Sequence, residues 1–357
     1  MHPIFRTLRL VAQTTFFALL AAAASAQPWH DPSPHTVHMV SVDRDVSLEV
    51  LDWGGTGRPL VLLTGLGNTA HVYDDFAPKL AAKYHVYAIT RRGFGVSSAP
   101  RTGYTPDRLG DDVLAVLDAL NIPKPVLAGH SIAGEELSSI VTRHPERIAG
   151  AIYLDSALSF AFYAPELGDM EIDSHAVERT MQQLAHGARE PLPLVHELLD
   201  ADLPAFERDL RAFQTNFEAM QKALQQPRHD PTPADMATFA AYQTWRFHDE
   251  GIRIPESELR QQFEATPTGG VGRWKTPGWV FEAIGEGRQK FTTLDGVQLL
   301  AIYAMDRGHG KEAQSAAFEK ANPSAPVVRL KDANHYVFLS NEAQVLVAMN
   351  DFIATLP

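Results

Sequence analysis

The sequence predicts an α/β fold: a doubly wound, mostly parallel sheet flanked by helices, with a helical cap inserted into it. Three observations predict it. Short continuous apolar runs, among them Leu60–Leu63, Val86–Ile89 and Ile148–Leu154, have the character of parallel strands buried on both faces. The segments between them repeat apolar residues at helical spacing, and strands separated by helices pair in parallel through right-handed crossovers. The alternation stops near Leu158, and residues 158–290 differ in character before it resumes at Val297.

Composition narrows the chemistry. The chain has 357 residues, 45% hydrophobic and 21% charged, enough for a large core with an inserted subdomain and too apolar for a disordered chain. A formal charge of −12 repels phosphates, so nucleic acid is not an expected partner. The absence of cysteine removes thiol nucleophiles, thiolate metal sites and disulfides. The chemistry is left to oxygen and nitrogen.

Residues 1–26 read as an export signal. Arg6 and Arg9 precede the apolar run Phe16–Ala24, and Ala24-Ser25-Ala26 supplies the small residues of a cleavage site. Gln13, Thr14 and Thr15 break the segment well short of the roughly 20 apolar residues of a membrane span, so a periplasmic or secreted protein without a stable membrane anchor is expected. Residues 27–36, punctuated by Pro28, Pro32 and Pro34, read as an extended, solvated tail. His30, His35 and His38 share no helix face, and no carboxylate completes a metal set with them.

The core is expected over residues 37–157 and 291–357. Val37–Val42 and Ser47–Leu51 open it as short strands. Thr105-Pro106-Asp107 starts a helix with a cap, a first-position proline and an acid at the positive dipole end. Leu109, Val113, Val116, Leu117 and Leu120 give that helix one apolar face. Pro125–Ala128 is the next strand, Ile132–Arg143 a helix and Ile148–Leu154 a further strand. Residues 158–290 are helix-prone and Pro-broken, with no strong strand run; they carry Phe160, Trp245, Trp274 and Trp279 and read as a lid. Val297–Ala304, a helix near Gly310–Lys320, Val327–Leu330 and a helix from Ser340 complete the core.

Three places carry chemistry. Ser131 lies in Gly129-His130-Ser131-Ile132-Ala133-Gly134, between a buried strand and a helix. A serine there is thrust out on a strained turn, which demands small residues two before and two after it, and it stands at the helix N-terminus. Thr64-Gly65-Leu66-Gly67-Asn68 follows Leu60–Leu63, and the N–H groups of Leu66 and Ile132 are the expected oxyanion donors. His335 follows the strand Val327–Leu330, placed to reach over the sheet end and take the proton of a serine too feeble to react alone. Asp306, after Leu299–Ala304 and 29 residues before His335, is the preferred acid to orient the ring. Asp155, after Ile148–Leu154, is the alternative. Asp332 reads as loop structure, and Glu135 and Glu136 as residues that solvate or support their helix.

These residues resemble the α/β-hydrolase superfamily, over nearly the whole chain beyond residue 26. The resemblance rests on the turn at Gly65, on Arg91-Arg92-Gly93-Phe94-Gly95-Val96-Ser97-Ser98, on Gly129–Gly134 and on the loop histidine His335, in the order Ser, Asp, His. It implies an eight-stranded sheet with a helical cap, and Ser131, Asp306 and His335 as nucleophile, acid and base. Thr64 stands where many members have His, Ala133 replaces a glycine, and Asp306 falls slightly early, which keeps Asp155 in play. The implied reaction is two-step acyl transfer on an apolar ester or lactone of moderate size, with no metal or organic cofactor required; an amidase, peptidase or C–C bond hydrolase using the same triad, or a non-catalytic binding protein on the same fold, is the alternative.

Overall fold

The computed structural model describes residues 29–224, 230–305 and 310–357. The signal segment and Asp306 lie outside them. The chain divides into units 1–32 and 33–357; the described part of the first, residues 29–32, has no helix or strand.

The apolar runs of the second unit become neighbours in one sheet. Its strands are β1 (Thr36–Asp43), β2 (Val46–Gly54), β3 (Pro59–Leu63), β4 (His85–Ile89), β5 (Val126–His130), β6 (Gly150–Leu154), β9 (Gln298–Ala304) and β10 (Val327–Leu330). The spatial order is β1-β2-β4-β3-β5-β6-β9-β10, with β1/β2 and β2/β4 antiparallel and every other pair parallel. Successive residues of a strand face opposite sides, so Val61 and Leu63 pack with Val113, Leu137 and Ile140 on one face. Leu60 and Leu62 pack with Tyr73, Phe76 and Phe338 on the other.

Register brings the chemistry to one edge. Leu63 pairs with Gly129, His130 with Leu154, Leu154 with Ile302, and Leu330 with Ala304. The residues that follow these strand ends, Thr64, Ser131, Asp155, Met305 and Lys331, therefore emerge along the same carboxyl edge, where open α/β sheets bind ligands.

Between β6 and β9 the chain runs largely through helices, including Met170–Ala185, Leu203–Leu224, Phe239–Glu250, Glu256–Gln262 and Gly278–Gly287. One feature differs from the sequence expectation: β7 (Phe263–Ala265) and β8 (Val271–Trp274) form an antiparallel hairpin. Three and four residues are too few to show a strand period. Glu135 and Glu136 are buried supports, not solvated ones. Arg288 donates to Glu135 at 2.7 Å and also reaches Asp169 and Glu171, which ties the helix after Ser131 to the cap. Among the described residues no helix is long and apolar enough to cross a membrane.

Candidate active site

Ser131 follows β5 and precedes the helix Ala133–Arg143 at φ +55°, in the left-handed region that non-glycine residues rarely enter. Its neighbours allow this turn by being small. A Cβ on Gly129 would come within 2.9 Å of Leu137 Cδ1, and one on Gly134 within 2.5 Å of the Ser156 carbonyl oxygen. The helix that begins here places its positive dipole end beside the serine, a setting that favours negative charge.

His335 lies against the residue preceding that serine. The rings of His130 and His335 are 4.6 Å apart, and His130 Nε2 sits 3.0 Å from the His335 carbonyl oxygen. A carbonyl only accepts, so His130 carries its proton on Nε2. Burial, with the neighbouring His335 adding to it, holds the His130 pKa down at about 3, so that ring is neutral and acts as a strut.

The acid beside His335 is Asp155. Its Oδ2 lies 2.7 Å from His335 Nδ1. Its Oδ1 accepts from Ala304 N–H at 3.0 Å and from Lys311 Nζ at 2.9 Å. Burial pushes this carboxyl up, but the His335 hydrogen bond and the Lys311 charge outweigh it, and the net shift is downward. Of the two candidate acids, Asp155 is the one at the ring nitrogen an acid must hold, and Asp306 lies outside the described residues. With Nδ1–H given to a carboxylate, His335 keeps its lone pair on Nε2, and its side chain is 36% exposed. Ser131 Oγ and the His335 ring make no direct hydrogen bond among the described residues; such bonds often tighten only with substrate in place.

The turn after β3 is held from below. Arg91 donates to the Thr64 carbonyl at 2.7 Å and the Gly65 carbonyl at 3.4 Å, and pairs with Glu136 in the helix after Ser131. One buried ion pair thus fixes the Leu66 turn relative to Ile132. Neither the Leu66 N–H nor the Ile132 N–H enters a backbone hydrogen bond among the described residues outside helices and strands. Trp274 and Phe281 of the cap stand 3.4 and 3.8 Å from where a Cβ on Gly67 would lie, an apolar wall beside the turn. Phe94 and Val280 pack around Ile132.

The histidines near the start of the chain separate. His30 is exposed, and His38 Nε2 lies 3.7 Å from Asp52. His35 is not solvated: its side chain is 5% exposed and its Nδ1 is 3.2 Å from Asp74 Oδ1. A carboxylate therefore does stand beside it, brought from 39 residues along the chain. His71 Nδ1 approaches Asp74 Oδ2 at 3.0 Å, and the Ser257 hydroxyl donates to that same oxygen. His35, His71 and Asp74 are donor types a metal accepts, but their atoms are engaged with one another as an ion-pair knot.

Sequence reasoning missed Lys311, Arg91, Arg288 and Glu258. Each is an ordinary charged residue until the fold brings its partner from 26 to 190 positions away.

Comparison with known proteins agrees with this fold. A 3-oxoadipate enol-lactonase of Acinetobacter baylyi is 33% identical over 115 residues, 32% of this chain and 43% of that protein. The matched stretch spans about two fifths of the length of such curated relatives, 37%, 43% and 38% for three of them. The solved structure of an E-2-(acetamidomethylene)succinate hydrolase aligns with a TM-score of 0.60 at 16% identity, covering 90% of this chain and 100% of that one. A thermophilic esterase from Thermogutta terrifontis aligns at 0.53 and 18%, covering 90% and 98%. At those identities the likeness is one of fold. The family model for the alpha/beta hydrolase fold matches residues 58–342, most of the chain, and the protein belongs to that family.

Proposed function

We propose that the protein is a serine hydrolase that cleaves a carboxylic ester or lactone through an acyl-enzyme on Ser131. The observation that carries this reading is the 2.7 Å contact of His335 Nδ1 with Asp155, on a ring that lies tilted against the residue that precedes Ser131. His335 Nε2 takes the Ser131 proton as Oγ attacks the carbonyl carbon. The N–H groups of Leu66 and Ile132 meet the oxyanion, each such donor being worth about 10²–10³ in rate. Nε2–H then protonates the leaving oxygen, and water repeats the sequence to free the acid. The apolar wall of Trp274 and Phe281 favours a small apolar acyl group. An enol-lactonase and an esterase among the relatives are in keeping with the ester or lactone class, and they stand beside carbamate and 2-(acetamidomethylene)succinate hydrolases.

The test is labelling with a fluorophosphonate and a panel of p-nitrophenyl esters, lactones, amides and C–C substrates. The expected adduct is on Ser131, absent in Ser131→Ala and weakened in His335→Ala, with esters or lactones turned over fastest. Folded protein that takes no label overturns the enzyme reading in favour of a binding protein; faster amide or C–C cleavage overturns the ester class. We propose also that the protein is exported with removal of residues 1–26, the reading that Arg6, Arg9 and the run Phe16–Ala24 support. The mass of the protein from a host expressing the full chain is expected to start at Gln27; retention of Met1 or of the apolar run in the mature protein contradicts it.

A further inference from the structure

We infer that Glu258, carried by the cap, is a positioning residue that sets the oxyanion turn Gly65–Thr69, an inference that rests on the hydrolase reading above. The turn is held from the sheet side by Arg91, which reaches only the carbonyls of Thr64 and Gly65. Its second half is held from the cap. Glu258 lies in the helix Glu256–Gln262 and is fully buried. Its Oε1 accepts from Asn68 Nδ2 and from the Thr69 N–H, both at 3.0 Å, and its Oε2 accepts from the Thr69 hydroxyl. Gln262, one turn further along, donates to Glu258 at 2.7 Å and to the Gly67 carbonyl at 3.0 Å. Residues 67, 68 and 69 are therefore each fastened to one cap helix. Asn68 Oδ1 in turn accepts from the Tyr336 hydroxyl at 3.2 Å, next to His335. One carboxylate thus connects the cap, the turn bearing the Leu66 N–H and the loop bearing the base.

Four donors converge on this group, and that count explains why an acid stands here. A carboxylate accepts all four; an amide would turn an NH₂ against donors and leave some unsatisfied. The surroundings make the charge conditional. Burial drives the Glu258 pKa up to about 7, against the hydrogen bonds from Thr69 and Asn68 and the nearby His71 that favour ionisation. The other titratable groups that face it are Tyr73 from the strand β3 side and Tyr336 from the last loop. As pH falls through about 7, a proton on Glu258 takes the place of an accepted bond, and the turn loses part of its tether. Ionised Glu258 then adds to the rate as the tether of the turn, separately from the base.

The experiment is the pH dependence of kcat and kcat/KM from pH 4.5 to 9 on p-nitrophenyl butyrate, for wild type, Glu258→Gln and Thr69→Val, with fluorophosphonate labelling and circular dichroism on each. The wild-type profile of log kcat/KM is expected to show a second inflection near pH 7, a drop of about 10–100-fold as Glu258 takes up its proton. Glu258→Gln is expected to lower kcat by the same factor, the scale of a small misplacement at a reacting centre, with KM changed far less and the second inflection gone. Thr69→Val removes one donor without touching the charge, so it raises the Glu258 pKa and moves the second inflection to higher pH. It serves where the Gln variant fails to fold. A wild-type profile without the second inflection, a Gln variant that keeps that inflection or full kcat, or an unmoved inflection in Thr69→Val overturns the assignment to Glu258 and leaves the hydrolase reading standing. Wild type that neither labels at Ser131 nor hydrolyses esters overturns both.

Discussion

At the scale of single residues, the site is a set of groups that are each restrained by a neighbour of opposite need. Asp155 is held by Ala304 N–H and Lys311 before it meets His335, so it presents one oxygen in a fixed direction. That geometry makes Asp155→Asn the informative substitution. The amide keeps the shape but cannot stabilise an imidazolium, and its NH₂ favours the wrong ring tautomer; a loss of about 10⁴ in kcat is the expected order from the Ser-His-Asp template. Asp306→Asn, the change the sequence preference nominates, is expected to lose far less. Steady-state kinetics on one ester with both variants decides between the two acids, and a larger loss in Asp306→Asn would restore the first preference. The reason the two were hard to separate in the sequence is physical. Both follow a strand of the same edge, and the linear chain does not say which strand lies beside which.

At the scale of elements, legibility followed burial on two faces. β3, β4, β5 and β6 are central, so each reads as a continuous apolar run, and their helices show one apolar face. The strand–helix junction at Ser131 was legible because two such patterns meet there. The β7–β8 hairpin was not, because it is three and four residues long and only partly buried, so neither length nor alternation marks it. The ties between elements were least legible of all. Arg288 binds Glu135, Asp169 and Glu171 across 117 to 153 positions, and Glu258 binds Thr69 across 189. Charged residues of this kind look like a solvated surface in sequence; only the fold shows that Arg288 is buried with Glu135, and Glu258 with Thr69. The cap is joined to the core through such pairs as well as through the apolar cluster of Phe94, Ile132 and Val280, which is why its place over the turn could be expected while the charged residues that fasten it could not.

At the scale of the whole molecule, the same principle joins three regions at Asp74. The start of the folded unit contributes His35, the turn Ala70–Tyr73 contributes His71, and the cap contributes the Ser257 hydroxyl, all converging on one buried carboxylate. Trp53 extends the knot, with its Nε1 donating to Ser33 at 2.9 Å and its ring edge-on to His35. Burial alone would raise the Asp74 pKa, but the bonds from His35, His71 and Ser257 outweigh it and bring it down to about 2 from an ordinary value of 3.8. A carboxyl whose folded value lies below its unfolded value stabilises the fold where it is ionised, above about pH 4, and that contribution is lost as pH falls towards 2. The shift corresponds to about 2 kcal/mol. Urea unfolding between pH 6 and pH 2.5 reads it directly: wild type is expected to lose about that much more stability across the window than Asp74→Asn, which has no proton to take up. Parallel stability curves for the two would mean that the knot is merely packed and that the joint between tail, core and cap lies elsewhere.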